Sequence, residues 1–252
     1  MNDSNPGLLD GLRVVQLGTC LASAVCGRLF ADMGAEVNHR DATSTPVRAA
    51  LALGKLSVSS ATGALPARTD VADARLIISA GGPAAARDAG CHPEQIRALN
   101  PDAVIVHVSP YGLTGPLADR AVTDLTLFAA SGIAKLLIGQ VDDPANEPPQ
   151  RPVGEQSSFM GGIAAACAGM NTLLANRAAI VDVSIYEALV TLPITELTRA
   201  ANGKPAAPRK RVKDGNGATV CILPCSDGYA AISPREEHQW QAWLDVMGRP
   251  AW

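Results

Sequence analysis

The run Ala103-Val104-Ile105-Val106-His107-Val108 is apolar at five of its six positions and shows no polar alternation. A strand of that kind has both faces covered, which is the condition of a parallel sheet clothed in helices. The segments before it alternate accordingly. Leu12 to Leu17 is of strand length, a helical pattern runs from Ala22 to Met33, Gly34-Ala35 stops it, and Glu36-Val37-Asn38 reads as a second strand. Leu76 to Ser79 repeats the strand signal and Pro93 to Leu99 the helical one. Parallel strands joined through helices give an α/β fold with a Rossmann-like sheet. The first turn reads Gly18-Thr19-Cys20-Leu21-Ala22-Ser23, so the G-x-G-x-x-G that presses backbone against a pyrophosphate is missing, which argues against a nicotinamide or flavin dehydrogenase.

Downstream, turn-rich Ser109 to Pro116 precedes a helical pattern from Thr123 to Ile133 and a Pro-rich loop from Val141 to Pro152. A longer helix is predicted from about Phe159 to Asn176, then a strand at Ile180 to Val183 and a helix beginning near Ile185. Residues 201–217, rich in Gly, Pro and Lys/Arg, read as a linker. This divides the chain into a large domain, 1–200, and residues 218–252, where Thr219 to Pro224 and Tyr229 to Ile232 form a hairpin before a helix from Arg235 to Met247. About 35 residues follow the linker, fewer than the roughly 40 below which unaided folding is marginal. Either this segment packs on the large domain, or it is the beginning of something whose remainder lies elsewhere.

Composition narrows the function. Forty-three residues are Ala and only nine are aromatic, so the core is close-packed from small side chains, which suits helix on sheet better than a sandwich. With 21 Lys+Arg against 24 Asp+Glu there is no excess charge to condense on phosphate backbones, so nucleic acid is not an expected partner. The longest apolar stretch, Ile163 to Ala175, is too short to span a bilayer. The six cysteines are scattered and the N-terminus lacks a signal-peptide layout, so the expectation is a cytoplasmic protein with reduced thiols. Cys221 and Cys225 lack a second Cys or His pair and read as core rather than as a metal site.

Several motifs then follow in order: Leu9-Asp10-Gly11-Leu12-Arg13-Val14-Val15; Leu29-Phe30-Ala31-Asp32-Met33-Gly34-Ala35-Glu36-Val37; Asn100-Pro101 with Ser109-Pro110-Tyr111-Gly112-Leu113-Thr114-Gly115-Pro116; Asp124 with Ala130-Ser131-Gly132; Val181-Asp182-Val183-Ser184-Ile185-Tyr186-Glu187-Ala188; and Asp227-Gly228-Tyr229 with Gln239-Trp240. Over nearly the whole chain this resembles the class III coenzyme A transferases, the group of formyl-CoA transferase, carnitine CoA-transferase and, more distantly, α-methylacyl-CoA racemase. The resemblance implies a large Rossmann-like domain, a small second α+β domain of which residues 218–252 are the beginning, and interlinked subunits. It also implies exchange of CoA between an acyl-CoA and a carboxylic acid through an aspartyl anhydride and an aspartyl thioester, with no tightly bound cofactor.

The family's nucleophilic aspartate stands four residues before a Gly, and the matching position here is Ser158, before Gly162. Serine there reads as a helix N-cap, a role of about 1 kcal/mol. Glu155, three residues off register, is the nearest carboxylate. In the CoA-contact regions implied by the resemblance stand His39, Lys55, Ala80 and Gly81, but a family arginine falls on Asp88, a later lysine on Gly63, and a family Gly-Pro on Ser23-Ala24. His107 reads as a buried or edge histidine rather than a base, His238 as helix surface, and Asp124 and Asp182 as structural carboxylates at element starts. The leading expectation is a degenerate member acting as a non-catalytic subunit beside a complete homologue, in a heteromer or else a homodimer. The alternatives are an active transferase or CoA-dependent racemase using an unconventional carboxylate, or an assembly module without activity. Against the family's longer chains, the end at Trp252 reads as a remnant, a split half or a shortened chain, with apolar surface expected around Trp240, Trp243 and Trp252.

Overall fold

The computed structural model describes residues 7–18, 20–39, 50–51, 56–57, 71–136, 151–205 and 221–251, together with 143, 146 and 148. Lys55, Gly63, residues 206–217 of the expected linker, most of the Pro-rich loop and Trp252 lie outside the described residues. The chain divides into two compact units, one of residues 1–134 and 151–204, the other of residues 135–150 and 205–252.

The first unit is built on six parallel strands, β1 (Arg13–Gln16), β2 (Glu36–His39), β3 (Leu56–Ser57), β4 (Leu76–Ala80), β5 (Val104–Ser109) and β6 (Ala179–Ser184), in the order β3-β2-β1-β4-β5-β6. All five residues of β4 and all six of β5 are buried, as the unbroken apolar run requires. Leu76 pairs with Val104 and Ile77 with Ile105, so alternate residues feed two cores. Leu76, Ile78, Val104, Val106 and Val108 enter the larger one, with Phe30 and Ala165. Ile77 and Ile105 enter the smaller, with Val15, Ala86 and Ile96.

The helices of this unit are α1 (Leu21–Asp32), α2 (Pro83–Asp88), α3 (Pro93–Leu99), α4 (Asp124–Ala130), α5 (Gln156–Leu174), α6 (Ile185–Val190) and α7 (Ile194–Ala201), and a single helical turn at Ile133–Leu136 runs across the boundary between the units. Helix α5 packs against α1 and β5 with a face made only of small residues: Ser157, Gly161, Gly162, Ala165, Ala166 and Gly169 are its buried members. This is how an Ala-rich, aromatic-poor chain reaches native packing density, by bringing backbones close rather than by filling space with large side chains. Helix α2, which the sequence reading did not include, uses Pro83 at its first position, where a missing N–H costs nothing. Pro193 splits the helical stretch after Ile185 into α6 and α7. Asp182 is the fourth residue of β6 rather than at its start; its role is still to pin backbone, because its Oδ2 accepts the Leu113 N–H at 2.9 Å.

In the second unit, β7 (Cys221–Cys225) and β8 (Gly228–Ile232) are antiparallel, closed by a two-residue turn at Ser226-Asp227, and helix α8 (Glu237–Val246) follows. None of the α8 residues is buried, and Trp240 and Trp243 are half-buried.

Candidate functional site

The order β3-β2-β1-β4-β5-β6 reverses direction between β1 and β4, and in open α/β sheets ligands bind outside the carboxyl ends of the strands at such a switch point. Two glycines in left-handed backbone conformations stand there, Gly18 after β1 (φ +88°) and Gly81 after β4 (φ +116°). A Cβ on Gly18 would lie 3.2 Å from the Ala80 Cβ, so the two turns touch. A Cβ on Gly81 would meet nothing within 4 Å, so that side of the turn is open.

Three of the residues expected to meet a ligand lie along this edge. Ala80 ends β4 and is buried, and Gly81 follows it. His39 ends β2, is also buried, and pairs in register with Gln16 at the end of β1. Gln16 pairs in turn with Ile78 of β4, two residues short of Ala80, so His39 and Ala80 are separated by two strand spacings across the sheet and are also offset along the strands.

The Gly81 peptide is held from below. Its N–H donates to the Val108 carbonyl at 3.1 Å, and its carbonyl accepts from His107 Nε2 at 2.9 Å. Because a carbonyl only accepts, Nε2 carries the proton, and Nδ1 of the neutral ring accepts from Ser79 Oγ at 2.8 Å. Burial pushes the His107 imidazole below the ordinary histidine range; the Gly81 carbonyl and Asp182 act the other way, and His92 adds to the lowering. Ser79, His107 and Asp182 stand side by side in register on β4, β5 and β6. They are not a nucleophilic triad, since both ring nitrogens are engaged elsewhere than on Asp182 and both Ser79 and His107 are 0% exposed. Next along the turn, the Ala84 amide donates to Asp119 Oδ1 at 2.7 Å, so a carboxylate of the chain already holds the first turn of α2.

Ser158 is the third residue of α5, not its N-cap. The N-cap position is Glu155, exposed and making no side-chain cap bond. The amides are satisfied instead by Asp124, 33 and 34 residues upstream. Its Oδ1 accepts from the Ser157 amide at 3.2 Å and its Oδ2 from the Ser158 amide at 2.7 Å. The Ser157 hydroxyl returns a bond to the Asp124 carbonyl at 2.8 Å. Asp124 is available for this because Thr123 caps its own helix, accepting from the Thr126 amide. A negative charge at the start of a 19-residue helix is also favoured by the helix dipole. Asp124→Ala is therefore expected to cost about 2 kcal/mol in urea unfolding, and Asp124→Asn about half of that because one acceptor survives. Equal losses would show that the carboxylate does not bridge the two amides.

Close backbone approaches fix where α5 begins. A Cβ on Gly162 would lie 2.6 Å from the Ala22 carbonyl oxygen, and one on Gly161 2.6 Å from Ile185 Cγ1. The start of α5 is thus lodged between the starts of α1 and α6, at the carboxyl edge of the sheet. Among the described residues no group of three or more His, Cys, Asp or Glu could hold a metal ion, and no helix is long and apolar enough to cross a membrane.

Residues 56–252 match the family described as CoA-transferase family III. A probable fatty acyl-CoA transferase of Mycobacterium tuberculosis is 28% identical over 99% of this chain and 71% of its own length. A crystal structure of that protein superposes with a TM-score of 0.77 and 25% identity, covering 98% of this chain and 70% of that one. The succinyl-CoA:D-citramalate CoA-transferase of Chloroflexus aurantiacus is 29% identical over 97% of this chain and 66% of its own length. A subunit of succinyl-CoA:(R)-benzylsuccinate CoA-transferase of Thauera aromatica is 26% identical over 73% of this chain and 46% of its own length.

Proposed function

The chain belongs to CoA-transferase family III, and from that membership we propose that it serves CoA transfer between an acyl-CoA and a carboxylic acid as a CoA-binding subunit without a nucleophile of its own, beside a complete homologue. The reading rests on the resemblance, which puts Ser158 at the position of the family's nucleophilic aspartate, and is supported by the Ser158 amide being held by Asp124 in the first turn of α5.

The chemistry separates aspartate from serine at that position. A carboxylate attacking an acyl-CoA thioester expels the CoA thiolate and forms a mixed anhydride. The thiolate returns to the aspartyl carbonyl, releasing the acid and leaving an aspartyl thioester. An incoming carboxylate then attacks that thioester, and the expelled thiolate takes the new acyl group. Serine would form an ordinary ester, whose carbonyl neither a carboxylate nor a thiolate readily cleaves, so the cycle would stop after one acyl transfer. Glu155 is exposed and one helical turn away, which does not favour it as a replacement. Under this reading His39, Lys55, Ala80 and Gly81 contribute to CoA contact. A relative named as a subunit of a CoA-transferase is consistent with heteromeric assembly.

The chain incubated alone with succinyl-CoA is expected to show no hydroxylamine-sensitive adduct by intact mass, and to be recovered with a longer paralogue when both are expressed together. A stoichiometric acyl or CoA adduct on this chain would overturn the reading.

A further inference from the structure

Helix-covered strands have no need of polar side chains. Ser79 and His107 nonetheless sit opposite one another in β4 and β5, among Leu76, Ile77, Ile78, Val104, Ile105, Val106 and Val108, and both are 0% exposed. Burying two such groups costs several kcal/mol unless their hydrogen bonds are made. Here they are made in one direction only, from Ser79 Oγ to His107 Nδ1 and from His107 Nε2 to the Gly81 carbonyl. The chain of bonds ends on the peptide of the open-sided glycine at the switch point.

Glycine at φ +116° is a conformation that constrains the backbone little by itself. With its N–H on Val108 and its carbonyl on His107, Gly81 has both of its flanking peptide units held, while the space a Cβ would occupy is open. We propose that Ser79 and His107 are a buried positioning pair that fixes the Gly81 peptide for contact with a coenzyme A ligand, so that affinity at this turn depends on the hydrogen bond from His107. The inference rests on the CoA-binding reading above. The part of the ligand that meets Gly81 is uncharged, adenosine or pantetheine rather than phosphate, because the Asp119 carboxylate occupies the amide of Ala84 three residues on.

A fold role and a positioning role part company in the Ser79→Ala/His107→Val double variant. Replacing Ser79 and His107 together removes the cost of burying both, while the carbonyl of the half-buried Gly81 loses its donor and turns to water, so the unfolding midpoint is expected to stay close to that of the parent. Its affinity for coenzyme A, measured by titration calorimetry on the full chain, is expected to fall about tenfold, the worth of one hydrogen bond to a buried group. His107→Gln, which keeps an N–H donor at that reach, is expected to recover most of the loss. In the parent, the Gly81 amide resonance should shift on saturation with coenzyme A. Unchanged affinity in a folded double variant, or a Gly81 resonance unmoved by saturating coenzyme A, overturns the positioning role and leaves the CoA-binding reading standing. A parent chain that binds no coenzyme A overturns both. Should the double variant not fold, the Gly81 shift and the His107→Gln affinity decide the matter.

Discussion

Gly162→Ala is expected to lower stability by about 3 kcal/mol, near the upper end of what one added methyl costs a packed interior. The methyl would be placed 2.6 Å from the Ala22 carbonyl oxygen and 2.6 Å from the Val25 Cβ, distances at which neither neighbour can remain. The Ala22 oxygen belongs to the backbone of α1, so no rotamer change relieves it. Either α5 or α1 must move, and α5 is also held by Asp124 at its first turn. At this size the loss corresponds to a fall in melting temperature of about 6–12 °C. Cys167→Ala, at an exposed position on the same helix, is the control and should change stability by less than about 0.5 kcal/mol. A Gly162→Ala chain within 1 °C of the parent would show that the α1–α5 approach is looser than the structure has it.

That glycine shows what the sequence makes legible. Gly161-Gly162 followed by Ala-rich helix announces close helix packing without saying against what, because the partner, α1, lies about 140 residues earlier. Signals that act within a few residues translate well. Pro93 to Leu99 is helical over just those bounds because Pro93 sits at the first position and His92 caps it, and the apolar run ending at Val108 is a strand buried on both faces. Signals that depend on distant partners do not. Ser158 looks like a cap because serine next to a helical pattern usually is one, yet the capping carboxylate comes from Asp124 and lets the helix begin at Gln156. The Ser79–His107 bond follows only from the β4–β5 register, which sets residues 28 apart side by side. The pattern of Ser, His and Asp across three strands would suggest hydrolysis if read as a list. Burial and the Gly81 carbonyl decide otherwise.

If the chain lacks a nucleophile of its own, as proposed, Ser158→Asp is expected to supply one, so that a covalent adduct with succinyl-CoA forms on the variant and not on the parent, detected as hydroxylamine-sensitive added mass and mapped to residue 158. The position is half-buried in the first turn of α5, where the helix dipole favours a carboxylate. Asp124 works against it, because a second carboxylate within a few ångströms raises the pH at which the new group ionises. Adduct formation should therefore increase as pH rises from about 5 toward 7, since only the ionised carboxylate attacks the thioester. Replacing Asp124 by Asn in the same chain should move that rise to lower pH, at the expense of the α5 cap. An unmodified Ser158→Asp chain that still binds coenzyme A would place the defect on the ligand side, where Asp119 holds the start of α2 and Asp88 stands at its end. Under the proposed reading, residue 158 would then be one departure from the family pattern among several.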